Sequence, residues 1–248
     1  MLGRLRPDGP DARVGTILPP DDTVGPRTRP PEPDPTHGLA DTIERSPLEV
    51  LDDVWLLPRL ADPAALETPL AAVVAAAPPR RFVTPRGAPM AVSSTNCGQV
   101  GWVSDRRGYR YEPVDPESGR PWPPMPATFA ALADRASRAA GFGPFAPDAC
   151  LVNRYAPGVG MGAHQDRDEA DAHAPIVSVS LGLPARFFVV GPERRGRATP
   201  IDLVDGDVVT FGASARLHYH GVRPLKPGRH PRFGTVRWNL TFRRALAP

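Results

Sequence analysis

Leu151-Val-Asn-Arg-Tyr-Ala-Pro-Gly-Val-Gly-Met-Gly-Ala-His-Gln-Asp-Arg-Asp-Glu169 decides the fold. Its apolar start, its Pro- and Gly-rich middle and its polar end read as two short strands joined by a turn. The same rhythm continues downstream, with candidate strands at 149–155, 163–166, 175–182, 186–190, 200–204, 207–211, 216–222 and 236–243. Eight short strands after a helical start predict a mainly β, α+β chain. The architecture that suits them is a double-stranded β-helix, a jelly-roll variant whose open end holds a site, with its core at about 149–245.

Upstream the pattern is helical. Residues 126–141 form one amphipathic helix, with Phe129, Leu132, Ala133, Ala136 and Ala140 on one stripe, Asp134, Arg135 and Arg138 facing out, and Gly141 as the stop. Residues 47–78 hold apolar and Ala-rich stretches interrupted by Pro58, Pro63 and Pro69, which predicts short helices ending at Pro78-Pro79. Residues 1–40 are expected to be a flexible extension. Rich in Pro, Asp, Arg and Gly, that segment offers too little apolar surface to offset the entropy of ordering it. It lacks the apolar run of a secretion signal, and no other stretch approaches a membrane span, so a soluble, cytoplasmic protein with no membrane partner is expected.

Within the deciding stretch, His164 and Asp166 stand two apart, and on a strand that spacing puts both side chains on one face. His220 follows 54 positions after the Asp on another candidate strand. Two imidazoles and a carboxylate leave several positions of an octahedral Fe(II) open for a chelating co-substrate and O2. Zinc accepts the same ligands but usually keeps one open position. On the last strand Arg237, Asn239, Thr241 and Arg243 share a face by alternation. Arginine there could fork a carboxylate, or could simply sit in strand salt bridges. Gly101-Trp-Val-Ser-Asp-Arg-Arg-Gly-Tyr-Arg-Tyr111 mixes Trp102, Tyr109 and Tyr111 with arginines around a turn. Such aromatics can stack on bases, or can pack a plain hairpin on a core.

Taken together with Ile176-Val-Ser-Val-Ser-Leu, Tyr219-His-Gly-Val-Arg-Pro-Leu and Arg237-Trp-Asn-Leu-Thr-Phe-Arg243, these motifs resemble the AlkB family of 2-oxoglutarate- and Fe(II)-dependent oxygenases, in its bacterial DNA-repair branch. The resemblance runs from about Ser94 to Ala245. It implies one dioxygenase domain over 41–248, with a nucleotide-recognition lid at about 94–125. It implies that His164, Asp166 and His220 bind Fe(II), and that 2-oxoglutarate and O2 are the co-substrates. Asn153, Arg154, Tyr155, Arg237, Asn239, Thr241 and Arg243 would line the 2-oxoglutarate site. Trp102, Tyr109, Tyr111, Asp168 and Arg194 would meet the substrate, with Arg195 as the rival to Arg194.

The implied reaction is oxidative demethylation of 1-methyladenine and 3-methylcytosine in single- or double-stranded DNA, releasing succinate, CO2 and formaldehyde. RNA or protein as the substrate, or a non-catalytic reader of modified nucleic acid, are the alternatives. Remaining features say less. Net charge is +3, and Lys226 is the only lysine, so the basic groups are almost wholly arginine. Cys97 and Cys150 lack metal-ligand spacing and read as small buried hydrophobes. His218 is given no role, His37, His173 and His230 read as solvated, and a monomer is the expected state.

Overall fold

Residues 46–247 are described in the computed structural model; the extension expected at 1–40, with His37, lies outside them. The first departure from expectation comes at once. Leu48–Leu51 (β1) and Val54–Leu57 (β2) pair as an antiparallel hairpin, where a helix was expected. Asp53 turns the chain with φ of 60°, a left-handed conformation that Asp tolerates, and Val-Trp-Leu-Leu then fills a strand position in the larger sheet. A single helix follows at Pro63–Ala76 (α1). Pro63 starts it, where a missing N–H costs nothing, and Asp62 caps it by accepting from the Ala64 N–H at 2.9 Å. Pro69 lies inside without ending the helix, because Leu66, Leu70 and Val73 still bury one face.

The remaining elements, besides a 3-10 turn at Ala213–Ala215, are Ser93–Gly98 (β3), Gly101–Asp105 (β4), Gly108–Glu112 (β5), Ala127–Ala139 (α2), Ala149–Tyr155 (β6), Met161–His164 (β7), Ile176–Gly182 (β8), Ala185–Gly191 (β9), Thr199–Leu203 (β10), Val208–Phe211 (β11), Tyr219–Val222 (β12) and Arg237–Arg243 (β13). All eight strands expected after Ala149 form, within a few residues of their expected bounds. They divide between two antiparallel sheets. A seven-stranded sheet runs β1-β2-β11-β8-β13-β6-β3, and a four-stranded sheet runs β10-β9-β12-β7. The first is therefore wider than the 149–245 core, since β1, β2 and β3 extend it. β3 pairs with β6 along its whole length, so among the described residues only β4 and β5 stand apart as a separate hairpin.

Strand alternation builds three layers. On the seven-stranded sheet Val152, Val177, Val179, Leu181, Leu240 and Phe242 face the helices, where they meet Leu66, Leu70, Phe129 and Leu132. Phe129 and Phe242 meet edge-on at 6.0 Å. Burying an aromatic of this size stabilises the fold by about 1.5–3 kcal/mol. Cys97 and Cys150 lie opposite one another on β3 and β6 in the same layer, buried and unbridged. On the sheet's other face Val54, Ile176, Val209 and Phe211 pack against Phe187, Val189, Ile201, Leu203 and Val222 of the four-stranded sheet. That second interface is incomplete, and the space left between the sheets is the cavity described next.

Candidate active site

His164 closes β7, and His220 sits opposite it on β12 in direct register. Asp166 lies beyond the end of β7 rather than on it, so the shared face expected from strand spacing applies to His164 alone. The three side chains converge nonetheless, with one ligand atom from each lying within 4.8 Å of the others. Each imidazole is oriented by a carbonyl that can only accept. His164 Nδ1 donates to Gly162 O at 3.0 Å and His220 Nδ1 to His218 O at 2.9 Å, which leaves both Nε2 lone pairs for a metal. Gly221 explains the His-Gly pair, because a Cβ there would stand 2.5 Å from Met161 O and 2.6 Å from the Phe188 ring.

Burial pushes the His220 imidazole down to about 4, and His164 adds to the push. The ring is then neutral near pH 7, and its 3.9 Å approach to Asp166 is a convergence of donors rather than an ion pair. Burial alone would raise the Asp166 carboxyl. The Arg243 guanidinium and the two imidazoles outweigh it and hold the group well below the usual carboxylate range. Arg243 Nε and Nη2 donate to Asp166 Oδ2 at 3.0 and 2.8 Å. Oδ1 is the oxygen facing His164, at 3.7 Å from its Nε2.

The cavity has a volume of 550 Å³. Asn153, Tyr155, Arg237, Asn239, Thr241 and Arg243 line it from the seven-stranded sheet, Trp102 and Tyr109 from the β4–β5 hairpin, and Asp168 and Arg194 from loops. Two of the expected residues lie elsewhere. Alternation along β6 turns Arg154 out to solvent, and Tyr111 is outside the lining, with its hydroxyl bonded to Glu169, which is part of it. Arg195 is absent from the lining, which separates it from Arg194.

Arg237 is 1% exposed, yet only its Nη2 has a partner, Ser180 Oγ at 2.8 Å. Nε and Nη1 are buried with none. Burial pulls this guanidinium below its ordinary value, opposed by Tyr155, over whose ring it lies at 5.0 Å. A buried cation with free N–H groups is costly unless a carboxylate completes it. Its neighbours are already satisfied: Asn239 Nδ2 donates to Ser178 Oγ and Val179 O, and Thr241 Oγ1 donates to Asn239 Oδ1. The donor set and the orphaned guanidinium thus fit a divalent ion with a dicarboxylate beside it.

At the cavity mouth Trp102 stacks on Tyr109 with 5.6 Å between ring centroids and 13° between planes. Its indole N–H donates to Asp168 Oδ2 at 2.8 Å. His230, expected to be solvated, is instead tied to Asp205 at 3.2 Å and accepts from Phe233 N. Sequence reasoning also missed Glu169, Arg216 and Ser180. Ser178 and Ser180 alternate within an otherwise apolar strand, a signal for a polar face that could have been used. Among the described residues no helix is long and apolar enough to cross a membrane.

Residues 53–243 match the family model described as the 2OG-Fe(II) oxygenase superfamily. The chain is similar to the alpha-ketoglutarate-dependent dioxygenase AlkB of Escherichia coli (strain K12), with 53% identity over 173 residues that cover 70% of this chain and 80% of that protein. It is also similar to the alpha-ketoglutarate-dependent dioxygenase AlkB homolog of Caulobacter vibrioides (strain NA1000 / CB15N), with 45% identity over 78% of this chain and 87% of that one. Among solved structures, OsALKBH1 superposes with a TM-score of 0.70 at 25% identity, covering 80% of this chain and 99% of the other.

Proposed function

Because this chain belongs to the 2OG-Fe(II) oxygenase superfamily, among its AlkB dioxygenases, we propose that it removes N-linked methyl groups from 1-methyladenine and 3-methylcytosine in DNA. It is an Fe(II)- and 2-oxoglutarate-dependent dioxygenase. Its strands divide between the two sheets in the manner of a double-stranded β-helix, β6, β8, β11 and β13 in one and β7, β9, β10 and β12 in the other, with the chain changing sheet at each step except the β9–β10 hairpin. The β4–β5 hairpin serves that barrel as a nucleotide lid. The observation that carries the proposal is the pairing, in one cavity, of an open-sited His-Asp-His triad with the buried, incompletely bonded guanidinium of Arg237.

His164 Nε2, His220 Nε2 and Asp166 Oδ1 would hold the iron. Arg237, backed by Ser180, would fork the distal carboxylate of 2-oxoglutarate, with Asn153, Tyr155, Asn239 and Thr241 shaping the wall around it. When bound, the ion and co-substrate supply an O2-dependent oxidation that yields succinate and CO2 and turns the methyl group into formaldehyde. The chain's own part is orientation, exclusion of water and charge balance. Arg243 takes one oxygen of Asp166 and so leaves the other for the ion.

Trp102, already stacked on Tyr109, offers an aromatic face to a base taken out of its stack. Asp168 would accept from the base's exocyclic amine and place negative charge beside a cationic methylated ring. Arg194, on the rim, is placed for a neighbouring phosphate. Methylation at these positions blocks pairing, so flipping the lesion costs less than flipping a normal base. The working form is a cytoplasmic monomer.

The test is mass spectrometry of matched DNA and RNA oligonucleotides carrying one 1-methyladenine, incubated with protein, Fe(II), 2-oxoglutarate and air. Loss of one methyl group from DNA, faster than from RNA, is expected. Faster loss from RNA would move the substrate to RNA.

A further inference from the structure

Glu169 is a buried carboxylate that the reaction itself does not use, and three donors from three parts of the fold converge on it. Arg216 Nη2 donates to Oε2 at 3.1 Å, the Tyr111 hydroxyl donates to Oε1 at 2.6 Å, and Arg243 Nε lies 3.3 Å from Oε1. Glu169 and Arg216 side chains are 2% and 4% exposed. Both guanidiniums then continue to Asp166, one to its carboxylate and the other to its backbone. Arg243 donates twice to Asp166 Oδ2, and Arg216 Nη1 donates to the Asp166 backbone carbonyl at 2.6 Å while its Nε holds Ala174 O at 2.8 Å. Asp166 lies off the end of β7, outside any strand pairing. Its position is set by these two arginines, and the arginines are set by Glu169.

Charge makes the arrangement specific. Two buried guanidiniums beside a single Asp would leave an excess positive charge next to a site meant for a divalent cation. Glu169 cancels it, and like charges at such range in a buried setting repel strongly. Tyr111 brings in the hairpin: it lies on β5, outside the cavity lining, and its hydroxyl is the hairpin's bond to Glu169. Burial pushes the phenol well above its ordinary value, so it stays a donor.

We propose that Glu169 is a positioning residue that couples the β4–β5 hairpin to the metal centre, through Tyr111 on one side and Arg243 and Arg216 on the other. The proposal rests on the oxygenase reading of the cavity. It carries a reciprocal consequence: whatever docking of the hairpin does for metal affinity, metal binding does for docking of the hairpin by the same factor.

The test is titration of the full-length protein with Co(II) in the presence of 2-oxoglutarate, followed by the visible absorption of the bound ion. Partners of metal ligands usually contribute about 10–100-fold to affinity. Glu169→Gln should weaken Co(II) binding by about that range and shift the absorption band. Tyr111→Phe should weaken it by a smaller factor, and the double variant should be no weaker than Glu169→Gln alone. Arg107→Ala, at the exposed hairpin tip, should bind as the wild type does.

A merely structural role would lower the amount of protein that binds, leaving the affinity and band of the folded fraction unchanged. Wild-type affinity and band in Tyr111→Phe overturns the coupling, and so does an equal loss in Arg107→Ala, even if Glu169→Gln does not fold. A wild-type chain that binds no Co(II) overturns the oxygenase reading and the coupling together.

Discussion

The two faces of β13 bury opposite kinds of side chain. Toward the helices it presents Leu240 and Phe242, both fully buried among apolar side chains. Toward the cavity it presents Arg237, Asn239, Thr241 and Arg243, also buried but polar or charged. β8 repeats the division, with Val177, Val179 and Leu181 on one side and Ser178 and Ser180 on the other. One face lowers the free energy by leaving water. The other gives up hydration and, at Arg237, does not recover all of it within the chain. A sheet that carries such a surface is stabilised by its first face and is suited by its second to bind a charged ligand.

Substitutions should therefore separate cleanly by face. The largest effect is expected at the metal ligands. His220→Ala should lower turnover by at least about 1000-fold, or roughly 4 kcal/mol of barrier, while circular dichroism stays that of the wild type. Lost fold together with lost activity would break the separation. Next comes the opposite face: Phe242→Ala should cost about 3–5 kcal/mol in denaturant unfolding, because a buried ring leaves a cavity behind.

Arg237→Ala should raise the 2-oxoglutarate dissociation constant by about 100-fold, close to 3 kcal/mol, as read by calorimetry with Mn(II) present. Without co-substrate, the same variant should be as stable as the wild type or more so, since it removes a buried, poorly partnered cation. Equal losses of stability in Arg237→Ala and Phe242→Ala would contradict the division of roles.

The smallest effect is on pH dependence. The folded value for His220, about 4, lies below its ordinary 6.5, so between these the unfolded chain binds more protons and stability rises with pH. Metal-free protein should lose roughly 1 kcal/mol on going from about pH 7 to about pH 5.5, and His220→Ala should flatten that slope.

Much of this was legible from residue order alone, for a physical reason. Strands after Ala149 are short and separated by Gly- and Pro-containing turns, which sets their bounds, and on the last of them the shared face of Arg237, Asn239, Thr241 and Arg243 follows from period 2. The hairpin at Leu48–Leu57 was not legible, because a short apolar run does not distinguish strand from helix, and its strand character comes from pairing with β11 far along the chain. Nor was the Asp166 geometry, which depends on arginines 50 and 77 positions away. Glu169 escaped notice for the same cause: a carboxylate after Asp-Arg-Asp looks like a solvated charge run until the fold brings Tyr111, Arg216 and Arg243 to it.

The most direct measurement counts products. With a 1-methyladenine DNA oligonucleotide, Fe(II), 2-oxoglutarate and air, one formaldehyde and one succinate should form for each methyl group lost, and none with His220→Ala. Methylated DNA recovered intact, or demethylation that persists in His220→Ala, would contradict a metal-centred demethylase in this cavity.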